Sequence, residues 1–453
     1  MTNSYLTRTV PVMVGTTLYL SLFLGSGIAQ DPAPAPPGTP APAQSDAGEQ
    51  PQGFFARTFT ISGEVRERWE ATHGANFTLT PADSYLASRT RLGLAFKPTS
   101  WLRFFAQAQD SRVLFYKKNP TSAVSDPFDL RQGYVEVGVL EGNGVNVRVG
   151  REELQLGSGR LIGTGDWTNV TKPFDVAIGT ITYGSFSTQL VEGTQVLIDP
   201  ARMDRGRPGE HFYADYSTFK KLIPGASVEP YLMAKTALNV KSKDGVLGDA
   251  DIIYMGGRLI GTVPGGFDYN FEGLREAGSY ADDTVSAWGY VGGGGWTNAR
   301  LPWKLHFSSD YMVGSGDSSL KDGRHESLDT LYGLQQPLTS LTGLFNWRNL
   351  ENLRIGADFR PAKKLTIKAS FRDYWLTKVS DGMYNSAGTE TVLNTKATSN
   401  HIGEGVDTQT IWALNAKTSI GIGVGTVAPG AYLQQSKKTS GFVYPYLSFT
   451  RQL

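Results

Sequence analysis

The 453-residue chain contains no cysteine. That excludes disulfides and thiolate metal sites, and it suits export through an oxidising compartment where stray thiols are a liability. Net charge is nearly absent as well, with 43 basic residues against 42 acidic ones. No bulk attraction to nucleic acid follows from such a balance, and none is expected as a partner. Histidine is scarce, and His73, His211, His306, His325 and His401 show no metal-ligand spacing. Neither a GxSxG elbow nor an HExxH pair occurs. Beyond the amino end, no apolar run reaches the roughly 20 residues of a membrane-spanning helix. What the chain has in quantity is glycine (53 residues) together with 22 Phe, 20 Tyr and 9 Trp.

The amino end has the form of a secretory signal over residues 1–29. Arg8 supplies the positive start, VPVMVGTTLYLSLFLG (10–25) the apolar centre, and SGIAQ (26–30) the small residues Gly27 and Ala29 before a cleavage site. Residues 30–56 follow, rich in proline, alanine and polar residues, a composition that cannot bury a core and predicts an extended tether. The folded part is expected over 57–453.

That part alternates with period two. In ISGEVRERWE (61–70), Ile61, Gly63 and Val65 share one face while Glu64, Arg66, Arg68 and Glu70 share the other. In LRFFAQAQDS (102–111), Leu102, Phe104, Ala106 and Ala108 oppose Arg103, Gln107, Gln109 and Ser111. NLRIGADFR (352–360) and LTIKASFR (365–372) repeat the pattern. Period two means strands. A closed barrel satisfies every backbone hydrogen bond between strands and crosses a bilayer in about 10 residues.

Two features favour such a transmembrane antiparallel β-barrel over a soluble sheet. Aromatics gather near strand ends, at Trp69, Tyr85, Trp101, Tyr116, Trp288, Trp303, Tyr311, Tyr374 and Trp375, as in interfacial girdles. Short proline-bearing turns within 95–107, 219–233, 298–311 and 358–370 also alternate with long polar stretches at 237–251, 314–330 and 380–400. At roughly 22 residues per strand and connection, about 18 strands fit, with 16 as the alternative. A barrel of that size encloses a lumen wide enough for solutes.

Several segments in order resemble the alginate-export family of bacterial outer-membrane β-barrels. They are GEVRERWE (63–70), SRTRLGLAFKP (88–98), AQAQDSR (106–112), LRQGYVEV (130–137), GREELQLGSGRLIGTGDWTNVTKPFDV (150–176), DYMVGSGD (310–317), FRDYWL (371–376) and APGAYLQQ (428–435). The resemblance implies an outer-membrane location and a passive channel bedded in lipid, with no cofactor. It implies an anionic polysaccharide or other anionic solute as cargo, with periplasmic components joining in polymer export.

Arginine suits such cargo because it is permanently charged, weakly hydrated and able to hold a carboxylate with two hydrogen bonds. The expected pore-lining residues are Arg89, Arg91, Arg112, Arg151, Arg160 and Arg354, opposed by Asp110, Glu153 and Asp166. Each arginine has a competing role, pairing with an acid to hold the wall together. The near-zero net charge supports that role. GSGRLIG (157–163) looks like a phosphate loop, but its spacing is GxGxxxG and no helical pattern follows, so a strand-to-loop passage folded close to the wall or into the lumen is expected.

Other function classes remain open at this point: a general diffusion porin, an outer-membrane enzyme using His306, Ser308 and Asp310, and a secreted glycan-binding β-protein. Structural Ca²⁺ on loop acids is a weaker expectation, at Asp244, Asp249 and Asp251 or Asp317 and Asp322. The chain closes on SFTRQL with Leu453, where outer-membrane barrels usually carry an aromatic, and YVGGGGWT (290–297) is unusual inside a strand.

Overall fold

A computed structural model describes residues 58–298, 300–319 and 321–453; the expected signal (1–29) and tether (30–56) lie outside them. One sheet of twenty strands dominates, two of them two-residue stubs at Arg205–Gly206 and Arg324–His325, and its pairings are antiparallel except that of the second stub, which runs parallel to Asp283–Thr297. The other eighteen are β1 (Phe59–Thr72), β2 (Asp83–Thr99), β3 (Leu102–Leu114), β4 (Asp126–Gly138), β5 (Gly144–Glu153) and β6 (Pro173–Tyr183). Then come β7 (Phe186–Leu197), β8 (Glu210–Lys220), β9 (Ala226–Lys241), β10 (Leu247–Val263), β11 (Phe267–Tyr280) and β12 (Asp283–Thr297). The last are β13 (His306–Gly314), β14 (Leu350–Ala362), β15 (Leu365–Leu376), β16 (His401–Asn415), β17 (Thr418–Pro429) and β18 (Phe442–Gln452).

Each strand pairs with its sequence neighbours, and β18 closes on β1 from Glu64↔Gln452 to Glu70↔Tyr446. Leu453 extends that seam by donating its backbone N–H to the Gly63 carbonyl at 2.9 Å. A closed ring leaves no unpaired edge, the one sheet arrangement a bilayer tolerates.

The four turns expected from their prolines fall at 100–101, 221–225, 298–305 and 363–364, all on one rim, with Pro98 and Pro361 in the last residues of the preceding strands and not in the turns themselves. Connections at 154–172, 198–209, 315–349, 377–400 and 430–441 fall on the other. One expected long loop is corrected. Most of 237–251 belongs to β9 and β10, joined by only 242–246.

Alternation places Ile61, Leu92, Leu94, Phe104, Val145, Val147, Val149, Ile355 and Phe371 outward, all well exposed, as a lipid-facing band requires. Trp101 and Trp303 sit exposed in the short turns, and Trp412 is exposed near the end of β16 on the same rim. Two of the expected girdle aromatics point inward instead. The Tyr85 hydroxyl donates to Glu70 at 2.9 Å, and fully buried Tyr374 stacks on Phe345 with ring centroids 4.0 Å apart.

The interior is not uniformly polar. On β6 to β13 the inward face carries Phe174, Ile178, Phe212, Tyr254, Val285 and Met312, which form one apolar cluster with loop residues such as Leu161, Ile162 and Trp347. An apolar inner face is stable there because the 154–172 and 315–349 loops fold inside and cover it.

Glycines make two close approaches possible. A Cβ on Gly295 would lie 2.2 Å from the His306 imidazole Nε2, so the glycine run of β12 clears the path by which His306 reaches Asp268 at 2.9 Å. A Cβ on Gly163 would lie 2.6 Å from Leu334, where the two infolded loops touch.

Candidate functional site

Strands β1 to β4 present a wall of inward guanidiniums: Arg66, Arg68, Arg89, Arg91 and Arg131, each no more than 8% exposed. Loop 154–172 docks on it. Asp166 sits 3.0 Å from Arg89 and 3.2 Å from Arg91, while Arg66 donates to the Asp166 and Thr168 carbonyls at 2.7 and 2.8 Å. Asn169, fully buried, donates to the backbone carbonyls of Ser88 and Val124 at 3.0 and 2.9 Å. Burial alone would raise the Asp166 carboxyl, but Arg89, Arg91 and Arg66 hold it well below the usual carboxylate range. The loop is therefore anchored in its charged form.

Elsewhere on the wall Arg89 pairs with Glu64 at 2.6 Å, Arg68 with Glu70 at 2.6 Å, and Glu153 with Arg131 at 2.7 Å and Arg91 at 3.3 Å. Five guanidiniums face four carboxylates, and Arg66 touches only neutral oxygens. Such buried charges are stable only while the partner set is complete.

From this wall the loop crosses to the opposite side. Arg160 lies 3.4 Å from Glu272 of β11, with its guanidinium 5.9 Å from the centre of the Trp347 ring. Ser158 donates to the same carboxylate at 2.7 Å. Loop 315–349 joins it through a parallel bridge between Ile162 and Tyr332 and through Leu334, whose N–H donates to the Gly159 carbonyl at 2.7 Å. Asp329 anchors that second loop, 3.0 Å from Lys235 and 3.8 Å from Arg348. Burial opposes ionisation of Asp329, yet Lys235 and Arg348 keep it well below the usual range. Asp407 of β16, paired with Arg372 at 3.1 Å, accepts from Ser340 and the Leu341 N–H.

Between these loops, loop 377–400 and the inner face of β8 to β11 lies a cavity of about 270 Å³. Lys172, Lys235 and Arg348 line it with Glu210 and Asp329. Lys235 and Arg348 share Asp329; Lys172 reaches only the Gly333 carbonyl, at 3.5 Å. Burial, assisted by the charge of Arg207, brings the Lys172 ammonium down to about 8.

The nine residues expected in the pore separate into three groups. Arg89, Arg91, Glu153 and Asp166 come together at the docked loop, and Arg160 sits farther along it. They bind protein, not solution. Arg354 does face the lumen, where it pairs with Asp310 and donates to Ser308 at 3.0 Å with about a quarter of its side chain exposed. The remaining three are corrected. Arg112 pairs with Asp110 at 2.8 Å on the outward row of Phe104 and Leu114. Arg151 continues the outward row of Val145, Val147 and Val149 and pairs with Asp175 at 2.8 Å. Alternation from the exposed apolar residues puts all three on the outer face, and on β5 it lapses only at the last residue, Glu153, which turns in to Arg131 and Arg91.

Lys172 was missed because it closes a loop and carries no strand periodicity. The KPFD segment at the start of β6 was the available signal. The His306, Ser308 and Asp310 set of the enzyme alternative does not assemble, since Arg354 occupies both Ser308 and Asp310 while His306 is turned to Asp268.

A family model described as "Alginate export" matches residues 57–442. No curated protein sequence matches the chain. Among solved structures, OpdO of Pseudomonas aeruginosa is 10% identical and aligns over 88% of this chain and 97% of its own, with a TM-score of 0.59. OccK5 (OpdH) of the same organism is 10% identical over 88% of this chain and 98% of its own, with a TM-score of 0.58. OccAB1 of Acinetobacter baumannii is 10% identical over 87% of this chain and 96% of its own, with a TM-score of 0.59. At such identity the likeness speaks for the fold.

Proposed function

The chain belongs to the alginate-export family and is a barrel channel of the bacterial outer membrane, and from that premise we propose that it passes anionic solutes passively, acidic polysaccharides of the alginate kind among them. The observation that carries this reading is the cavity at the infolded loops, where three cations meet two carboxylates and Lys172 has no carboxylate partner among the described residues. A passing carboxylate there gains an unshared positive charge without displacing an internal ion pair. Release stays easy because the contact is single. Arg354, partly exposed beside Asp310, offers a second such contact. Polymer export in this reading draws on periplasmic components for delivery.

A second reading, a general diffusion porin, is favoured by one observation: all six arginines first expected to line the pore are engaged by acids. Reversal potentials across planar bilayers in asymmetric KCl separate the two. An anion-preferring wild type is expected, with Lys172→Met lowering the anion-to-cation permeability ratio by on the order of 1 kcal/mol, about fivefold. An unselective or cation-preferring wild type overturns the anion reading and leaves the porin.

A further inference from the structure

Among the described residues, two groups of three potential ligands bring one atom each to within 4.8 Å of the others: Asp373, His401 and Glu404, and Asp126, Asp129 and Asp204. In the first, His401 is already hydrogen-bonded to Asp373 at 2.8 Å, which satisfies both. The second is different.

Asp126 and Asp129 stand in the first turn of chain of β4, at the long-loop rim, and each is 4% exposed. Asp204 arrives from the connection 198–209, which leaves the sheet three strands away. Its N–H donates to Asp129 Oδ2 at 2.7 Å, and its own carboxylate accepts from the Asp199 N–H at 2.8 Å. Asp126 is the unexplained member. Among the described residues its Oδ1 is buried without any hydrogen-bond partner, and its carboxylate finds no ion pair there.

The neighbouring cations are committed elsewhere. Arg151 is held by both oxygens of Asp175, at 2.8 and 3.1 Å, and comes no closer than 3.9 Å to Asp129. Arg131 gives its Nε and Nη2 to Glu153 at 2.9 and 2.7 Å. Three carboxylates thus converge with little positive charge to offset their repulsion, and a buried, unpaired carboxylate is among the costliest groups a protein can carry.

We propose that Asp126, Asp129 and Asp204 bind one hard divalent cation, Ca²⁺, which clips connection 198–209 to the head of β4. Oxygens sharing one Ca²⁺ at 2.3–2.6 Å lie no more than about 5 Å apart, and each of the three carboxylates brings an oxygen to within 4.8 Å of the others, inside that limit. The ligand set is oxygen alone, which favours Ca²⁺ over zinc or copper, and a site completed by carbonyls and water suits its irregular coordination better than the strict octahedron of Mg²⁺. The ion also explains why Asp204 is drawn across β5 and β6 to reach β4. These acids are distinct from the loop acids that the sequence suggested, of which Asp244, Asp249, Asp317 and Asp322 accept local hydrogen bonds.

The test uses the refolded barrel in detergent, stripped with EGTA and titrated with CaCl₂ by calorimetry and by thermal unfolding. One binding event is expected, with a rise in the unfolding midpoint. Asp126→Asn and Asp204→Asn should each weaken affinity at least tenfold, while Asp244→Asn and Asp373→Asn keep the wild-type response. Because Asp126→Asn removes a repelling charge, it should be at least as stable as wild type without Ca²⁺, so a folding defect does not hide the result. No Ca²⁺ binding by the wild type, an unchanged affinity in Asp126→Asn, or a response lost in Asp373→Asn instead would each overturn the proposal.

Discussion

Arg89 shows what an arginine does on this inner wall. Only 1% exposed, it holds Glu64 on its own sheet and Asp166 on the docked loop. Replacing it with alanine strands the Glu64 carboxylate and leaves Asp166 to Arg91 alone, a loss of about 3 kcal/mol. Arg89→Ala should therefore unfold at lower temperature than wild type in heat-modifiability gels, and its single-channel current should be noisier as the loop comes free. Lys172 answers to pH instead. With its ammonium near 8, it is charged at pH 6 and largely neutral at pH 9. Anion preference should accordingly fall as pH rises through 8, and Lys172→Met should remove that step. A step of the same size in the variant would assign the titration to another group. The sequence offered pairing with an acid as one of two roles for Arg89 without deciding between them, and gave no sign of the role of Lys172. An arginine on a polar strand face reads the same whether it meets water or Asp166, and these partners stand 77 residues apart.

At the scale of elements, alternation and turn chemistry were legible and the loops were not. GEVRERWE and LTIKASFR announced strands because their apolar faces meet lipid and their polar faces do not. The same alternation already put Asp110 and Arg112 on the row of Phe104, so their outward placement could have been read. Loop 154–172 has no period. Its glycines mark sharp turns, with Gly157 and Gly159 at positive φ (53° and 79°), but they do not say toward what the chain turns. The contact between the infolded loops gives a direct test. A Cβ on Gly333 would fall 1.7 Å from the Arg160 carbonyl oxygen, so Gly333→Ala must separate the loops there. With the bridge at Ile162 and Tyr332 lost, at about 1 kcal/mol per hydrogen bond, the variant should conduct more current per channel than wild type. Equal conductance would show that this contact does not narrow the path.

For the molecule as a whole, the sequence by itself determined a closed antiparallel barrel of about 18 strands with short turns on one rim and long loops on the other. Period two, proline at the turns and interfacial aromatics are local signals, and a bilayer leaves only one way to satisfy the backbone they describe. Tertiary structure decided what fills the lumen. Two loops fold inward, cover an apolar half of the wall from β6 to β13, and tie down the arginines of β1 to β4. The charge a solute meets then depends on which acids those loops deliver and which cations they leave over. That is a matter of contacts between residues far apart in the chain, where the energy lies in pairing and burial and no local pattern records it.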